Sequence, residues 1–404
     1  MKDRRFGRRA FLATGAAALG GAAALGGREL FTGDGGADGR DRPDRGDIGR
    51  ATVDFHGERQ AGVATPAQAF ATFVAFDLLD GVDREALIRW MRVWTDDIER
   101  LTRGAPALTD TEPELALLPA RLTVTVGFGP GFLAAAGREE LRPSWLAPLP
   151  EFPIDRLREE FSGGDLVAQV CADDEVTVAH AVRVLTKQAR SFARPRWVQR
   201  GFRNTPGAVP EGATMRNLMG QLDGTRNLRP GPDDRLIWIS DGPEWLRGGT
   251  GMVVRRIAMN LDTWDELDRP ARELVIGRRL DNGAPLTGRH EHDEPDLEAV
   301  DERGLSVIPM FAHIRRARSD NPDERFLRRS YNYDDPPEPG ELSNSGLVFV
   351  TFQADIEAQF TPIQRRLAEL DSLNDWTTPI GSAVFAVPRG CRPGEYLGQP
   401  LLEA

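Results

Sequence analysis

From Val53 onward, short apolar runs alternate with amphipathic stretches. The runs are rich in β-branched and aromatic residues, which favours strands, and each is followed by an acidic residue that can cap a helix. The first run, "FATFVAFDLL", precedes "DREALIRWMRVWTDDIERL", in which Leu87, Trp90, Met91 and Trp94 recur at helical spacing. Three more units of this kind begin with "DLVAQVCADD", "GMVVRRIAMNLD" and "GLVFVTFQAD". The pattern predicts four strand–helix units.

Two units precede residue 205 and two follow it, with further strands predicted at 121–129 and 382–389. This duplication predicts an α+β fold of two ferredoxin-like domains, 53–205 and 206–400, each an antiparallel sheet with helices. The break between them is placed in the proline- and glycine-containing stretch 196–217. A Rossmann fold is the rival, but "GFGPGF" at 127–132 contains a proline and lacks the third glycine of the dinucleotide turn.

The N-terminal segment has the pattern of an export signal. Arg8 and Arg9 precede a Gly-rich Ala/Leu run that is too weakly apolar for a convincing membrane span. This arrangement resembles a twin-arginine signal, predicted over 1–27, which is read by the twin-arginine export machinery. The other interpretation is a short basic tail before a helix. Residues 28–52 are rich in Gly, Asp and Arg and are predicted to form a disordered linker. The protein is then expected in the periplasm, on the cell surface or outside the cell.

Charge and cysteine content exclude several classes of protein. The formal net charge of −11 argues against a general binder of nucleic acid or anionic membranes. The two cysteines allow one disulfide, and no Cys/His spacing typical of zinc occurs. His290 and His292 lie beside acidic residues, so both a surface metal site and a solvated loop remain open.

The stretch "GQLDGTRN", residues 220–227, contains an Asp-Gly pair. Asp-Gly is a strong turn signal, because glycine accepts positive φ and the Asp side chain bonds nearby backbone N–H groups. On this dipeptide alone, Asp223 is interpreted as a turn residue.

A second stretch, "IPMFAHIRRARSDNPDERFLRRSYNY" at 308–333, places His313 between apolar residues and several arginines. One histidine cannot close a zinc site, but it suffices for haem, in which the porphyrin supplies the other four nitrogens. Arginines nearby can pair with the haem propionates. The alternative is a structural histidine beside a basic, solvated face.

Taken together, these segments resemble the dye-decolourising peroxidases, particularly the exported deferrochelatase/peroxidase branch, over most of 53–400. Gly220, Asp223 and Gly224 match the G-x-x-D-G motif of that family. The other matching segments are "FHGERQAGVATPAQA" (55–69), "IGRRLDNGAPLTG" (276–288), "AHIRRA" (312–317), "LRRSYNY" (327–333) and "FTPIQRRLAELDSLND" (360–375).

The resemblance implies a barrel-like pairing of two ferredoxin-like domains, with one haem b per chain held by the C-terminal half. It makes His313 the axial iron ligand, Asp223 the distal acid and Arg328 the distal arginine, with Arg329 as the alternative register. Ser330 departs from the glycine common in this branch.

Further assignments also rest on the resemblance. Asp375 is expected to accept a hydrogen bond from the imidazole of His313, and Phe349 to pack over the distal pocket. The remaining expected haem contacts are Gly224, Thr225 and Arg226 along the haem edge, and Arg279 and Arg318 at the propionates.

The implied function is a haem peroxidase that reduces hydrogen peroxide and oxidises dyes, phenols or other one-electron donors. The alternative is a haem-binding protein for iron acquisition with little peroxidase turnover. A chlorite-dismutase-like enzyme is a further rival, which the G-x-x-D-G segment argues against. Iron-uptake or copper-handling partners and a homo-oligomer remain open.

Large dyes require a route for electrons to the surface. Surface aromatic residues, such as Trp376, Tyr331 or Tyr333, are candidates for it, and the alternative for each is core packing.

Overall fold

The computed structural model describes residues 48–404, which contain nine strands and nine α-helices. The strands are β1 (Phe70–Leu78), β2 (Thr123–Phe128), β3 (Leu166–Ala172), β4 (Ala193–Phe202), β5 (Thr250–Met259), β6 (Leu327–Arg328), β7 (Tyr331–Asp334), β8 (Ser345–Gln353) and β9 (Thr377–Val387). The helices are α1 (Arg84–Thr102), α2 (Pro130–Ala135), α3 (Glu175–Ala189), α4 (Asp234–Ile237), α5 (Leu261–Asp265), α6 (Arg269–Ile276), α7 (His313–Arg316), α8 (Thr361–Leu370) and α9 (Gln399–Leu402). No helix in this range is long and apolar enough to cross a membrane.

The strands form one sheet in the order β5-β9-β2-β3-β1-β4-β7-β8-β6, and β5 also pairs with β8, so the sheet closes into a ring. Every strand pairing in it is antiparallel, which excludes the parallel sheet of a Rossmann fold and confirms the α+β prediction. Strands β1–β4 form one half and β5–β9 the other. Single residue pairs join the halves, Phe128 with Ala386 and Phe202 with Asn332.

Helix α1 forms where the apolar periodicity predicts it. The side chain of Asp83 caps it by accepting a hydrogen bond from the N–H of Ala86. Its four predicted core residues, including Trp90 and Trp94, are fully buried. Burying each such side chain contributes about 1.5–3 kcal/mol, so packing against the sheet fixes this helix.

The core continues through the ring. Phe73 and Val167 of the N-terminal half pack with Met252 and Phe352 of the C-terminal half. Because side chains alternate across a strand, these residues fill the inside of the ring, while the other faces of the strands meet the helices.

Two predicted boundaries differ in the structure. The helix expected after β5 is divided into α5 and α6, because Asp268 caps a new helix that has a proline in its first turn. Strand β4 occupies 193–202, the start of the stretch in which the sequence placed the domain break. Exposed arginines alternate in this strand with buried residues such as Trp197, so its sequence lacks a continuous apolar run.

Ordered contacts begin ahead of the predicted boundary at residue 53. The carbonyl oxygens of Gly49 and Ala51 accept hydrogen bonds from the N–H groups of Ala120 and Arg121. The predicted signal segment and most of the predicted linker, residues 1–47, lie outside the described residues.

Candidate active site

Asp223 is in direct contact with Arg328. Oδ1 of Asp223 lies 3.1 Å from Nη1 of Arg328, 105 residues away in the chain. The backbone N–H of Asp223 donates to the carbonyl of Met215, which holds the loop in place. Gly224 has φ of +142°, and a Cβ there would lie 3.2 Å from Cγ2 of Thr214, so glycine suits both the bend and the close approach. The Asp-Gly turn therefore exists, and it presents Asp223 to an arginine.

Asn227, the last residue of the same loop, holds the backbone of Arg328. Its Oδ1 accepts from the Arg328 N–H at 2.7 Å, and its Nδ2 donates to the Arg328 carbonyl at 2.8 Å. The carboxamide thus acts on one edge of β6 as a neighbouring strand would. On the other edge, Arg328 pairs with Thr351 of β8.

A polar pocket of about 200 Å³ opens beside this pair. Its lining comes from four segments of the chain. The residues are Arg203, Gly212, Ala213, Thr214, Met215, Asp223, Gly224, Asn227, Arg328 and Ser330. The pocket is large enough for small polar molecules.

Arg329 points away from this pocket, which fixes the register of the two neighbouring arginines. Its guanidinium is buried and bonds the carbonyl of Thr65 and Oε1 of Gln68 in the N-terminal half. Because consecutive residues of an extended segment face opposite ways, only Arg328 contacts Asp223.

His313 is the first residue of α7, and its Nδ1 lies 2.6 Å from Oδ2 of Asp371. Asp371 is buried, and its Oδ1 accepts from the N–H of Leu373. The expected partner, Asp375, is wrong: it is exposed and makes no contact with the imidazole. Asp371 ends α8 and is directed inward, whereas Asp375 follows one further turn along the chain.

Two opposing effects act on the pKa of His313: burial of the imidazole and the neighbouring carboxylate of Asp371. Burial alone lowers the pKa of His313, but the charge and hydrogen bond of Asp371 outweigh it, so that the pKa is raised. The imidazole side chain is nonetheless 34% accessible, so one edge of the ring faces open space. The charges of Asp223 and Arg328 also act on His313, the first raising its pKa and the second lowering it.

The predicted propionate arginines differ in position. Arg279 is exposed, whereas its neighbour Arg278 is buried and donates to the carbonyls of Gly283 and Glu291. Burial lowers the pKa of Arg278, and the nearby charge of Glu291 opposes this effect. The positive charges of Arg226, Arg318 and Arg328 lower it further, so these guanidinium groups form one basic cluster.

An acidic loop meets that cluster. Glu294 pairs with both Arg226 and Arg318. Oε1 of Glu291 accepts from the hydroxyl of Thr225 at 2.9 Å. The residues expected at the haem edge are therefore brought together, and Glu294 neutralises part of their charge.

Phe349 lies on β8 two residues before Thr351, the partner of Arg328, so both face the same side of the sheet. Its ring meets that of Phe326 edge-on, with centroids 6.1 Å apart. This position is compatible with an aromatic wall beside the distal pocket.

Other sequence candidates fall outside the site. His290 and His292 are exposed, and residues 48–404 contain no group of three or more His, Cys, Asp or Glu residues able to hold a metal ion. Cys171 and Cys391 are both free and buried, so the disulfide that the cysteine count allowed does not form.

The aromatic candidates divide into two kinds. Tyr331 and Tyr333 are buried, so neither is a surface residue as proposed. Trp376 is partly exposed and packs edge-on against Trp264.

Sequence reasoning missed Asp371, Arg278, Asn227 and Arg203. Asn227 stood within the quoted loop, but its contact with Arg328 joins segments 101 residues apart. No local pattern marks such a contact.

Two family models match the chain: "Dyp-type peroxidase, N-terminal" over residues 60–203 and "Dyp-type peroxidase, C-terminal" over 214–392. A dye-decolorizing peroxidase of Thermobifida fusca is 42% identical over 362 residues, covering 85% of this chain and 84% of the relative. A deferrochelatase of Yersinia pestis is 35% identical over 371 residues, covering 87% and 85%. The crystal structure of a DyP-type peroxidase from Cellulomonas bogoriensis superposes with a TM-score of 0.87 at 63% identity, covering 88% of this chain and 99% of that one. The chain belongs to the Dyp-type peroxidase family.

Proposed function

We propose that this member of a haem peroxidase family binds haem b through His313 and reduces hydrogen peroxide with Asp223 and Arg328. The observations that carry the proposal are an imidazole hydrogen-bonded to a buried carboxylate and an acid–guanidinium pair near enough for its charges to act on that imidazole.

The residues present fit a haem group. Because Nδ1 of His313 is engaged by Asp371, Nε2 is left free to bind iron. Arg226, Arg318 and Arg278 supply the positive charge that two propionates require, and we infer that a propionate competes with Glu294 for the first two. Phe349 offers an apolar surface to a porphyrin edge.

Haem supplies the redox-active iron at which peroxide is reduced. Asp223 takes a proton from one peroxide oxygen and returns it to the other, which becomes the leaving water. A positioned carboxylate of this kind typically contributes about 10²–10⁴-fold to the rate. Arg328 stabilises negative charge on the leaving oxygen; its backbone is held by Asn227 and β8, and its guanidinium is held by Asp223. A reducing substrate would supply the electrons, one at a time.

The alternative function is release of iron from intact haem. The observation in its favour is the similarity to proteins named deferrochelatase. The same pocket residues would serve both functions, so the products of the reaction must separate them.

One experiment tests both functions. The absorption spectrum of the purified haem-loaded protein is recorded before and after one equivalent of peroxide, and again after a phenolic donor is added. Peroxidase function predicts a rapid spectral change that the donor reverses, with catalytic consumption of peroxide. An increase in metal-free porphyrin fluorescence without turnover would instead support iron release. A protein that takes up no haem would refute both.

We also propose export by the twin-arginine machinery, on the strength of Arg8 and Arg9 before the weakly apolar run. Replacing both arginines with lysine is expected to leave the protein in the cytoplasm of its host. Unchanged export of this variant would refute the proposal.

A further inference from the structure

Arg203 is held rigidly at the junction of the two halves. It follows β4, and its backbone N–H donates to the carbonyl of Ala69 at 2.7 Å. Its Nε donates to the carbonyl of Ser330 at 2.6 Å, and its guanidinium carbon lies 4.9 Å from the centroid of the Tyr331 ring. The N-terminal half thereby places a fixed cation in the wall of the pocket that contains Asp223 and Arg328.

The terminal N–H groups of the Arg203 guanidinium are available to bind a ligand. Within residues 48–404 no carboxylate lies at ion-pair distance from Arg203, and its two terminal nitrogens make no hydrogen bond. Burial lowers the pKa of Arg203, and the positive charge of Arg329 acts in the same direction, whereas Tyr331 and the carboxylate of Asp223 oppose this lowering only in part. The pocket wall carries the guanidinium groups of Arg203 and Arg328 and the carboxylate of Asp223, which leaves an excess of positive charge.

Ser330 gives a second, independent indication. It lines the same pocket and is 3% exposed, and its hydroxyl has no hydrogen-bond partner among the described residues. A buried hydroxyl without a partner is costly unless something bonds it.

We propose that Arg203, with Ser330 beside it, forms a binding site for one small oxyanion, such as nitrate or a short monocarboxylate, within the pocket next to Asp223. The fork of guanidinium N–H groups matches two oxygens of such an anion, and the hydroxyl of Ser330 can donate to it as well. The pocket volume of about 200 Å³ admits small anions. Competition between the anion and peroxide would rest on the proposed peroxidase function, whereas binding itself does not.

Calorimetric titration of sodium nitrate into the haem-loaded protein, in a buffer with a bulky anion, tests the proposal. The wild-type protein should bind one nitrate per chain without a change in the haem absorption bands, because the anion is held by side chains and not by iron. Arg203→Gln should weaken binding by about tenfold or more, and Ser330→Ala by about two- to tenfold. Asp223→Asn should tighten binding, because it removes the negative charge from the pocket.

Arg200→Gln is the matched control, since Arg200 is an exposed arginine of the same strand and should leave the affinity unchanged. If Arg203→Gln does not fold, Arg203→Lys serves in its place. It keeps the positive charge but loses the paired N–H groups of the guanidinium, and it should bind nitrate more weakly than the wild type. Absence of saturable nitrate binding to the wild type would overturn the proposal. An affinity in the Arg203 and Ser330 variants equal to that of the wild type would overturn it as well. Loss of peroxide turnover with nitrate binding intact would contradict the proposed function alone.

Discussion

Nδ1 of His313 lies 2.6 Å from Oδ2 of Asp371, and this contact joins the start of α7 to the end of α8 across 58 residues. The carboxylate is buried and is itself held by the N–H of Leu373. It therefore fixes both the orientation of the ring and the nitrogen that carries the proton.

Replacing Asp371 with asparagine should weaken the electron donation of His313 to bound iron, because a neutral amide is a poorer acceptor than a carboxylate. Loss of such a partner typically costs about 10–100-fold in affinity or activity. We expect a higher iron reduction potential and a lower iron–histidine stretching frequency in resonance Raman spectra. Asp375→Asn is the control and should match wild type. The reverse result would restore Asp375 as the partner.

Replacing His313 with alanine should abolish or strongly reduce haem binding, because the other histidines either pair elsewhere, His56 with Glu99 and His180 with Asp110, or are exposed. The ratio of Soret to protein absorbance after haemin reconstitution measures this. His292→Ala removes an exposed histidine and should reconstitute normally. An unaltered Soret spectrum in His313→Ala would contradict the assignment of the ligand.

Asp223→Asn and Arg328→Leu should each keep haem and slow the reaction with peroxide. Loss of the proton-transfer carboxylate is expected to reduce the rate by about 10²–10⁴-fold. Stopped-flow absorbance gives the second-order rate constant. Arg325→Leu is a suitable control, because Arg325 is partly exposed and pairs with Asp233 away from Asp223. Wild-type rates in both pocket variants would refute their roles.

Asn227→Ala should slow the reaction with peroxide without changing the KM for a large dye. The substitution removes both hydrogen bonds to the Arg328 backbone, so the guanidinium is less well positioned against Asp223. Loss of one to two such bonds corresponds to roughly tenfold. Asn227→Asp keeps the acceptor oxygen and should fall between alanine and wild type. An equal loss in Asn227→Asp and Asn227→Ala would mean that the acceptor contributes nothing.

Asp97 should make stability depend on pH. Burial, with the charge of Asp96, raises the pKa of this carboxyl to about 6, and its Oδ2 has no hydrogen-bond partner in residues 48–404. Between about pH 4 and pH 6 the folded chain therefore holds a proton that the unfolded chain releases, so the unfolding free energy contributed by Asp97 falls as pH rises through this range. With solvent screening, the effect is about 1–2 kcal/mol.

Asp97→Asn should accordingly raise the thermal midpoint more at pH 8 than at pH 5, which differential scanning calorimetry can measure. Asp265→Asn is the control, because Asp265 is exposed and pairs with Arg272 at 3.2 Å, and its charge is not among those that act on Asp97. It should give no stabilisation at pH 8. A gain that is equal at both pH values would refute the role of the raised pKa.

Much of the fold follows from local sequence patterns. Trp90 and Trp94 repeat at helical spacing, and both lie buried in α1 as predicted. The division into α5 and α6 was harder to predict. The apolar periodicity continues through Asp268, and only the capping of α6 by this residue marks the start of a new helix. Strand β4 was harder still, since alternation there is between arginines and a few buried residues.

At two positions of the predicted site, the structure buries a nearby residue of the same type instead of the predicted one. A shift of four residues separates Asp371 from Asp375, and a shift of one separates Arg278 from Arg279. In each case the chain offers two identical side chains close together, and only burial distinguishes them.

The sequence by itself determined the strand–helix units, the Asp-Gly turn and the residue types from which a haem site can be built, because backbone preference and hydrophobic periodicity act over a few neighbouring residues. Tertiary packing decided the rest. It brought Asp223 to Arg328, His313 to Asp371, and Arg203 of one half into a pocket of the other. Those contacts join residues from tens to more than a hundred positions apart, and they depend on how strands, helices and loops distant in sequence pack together.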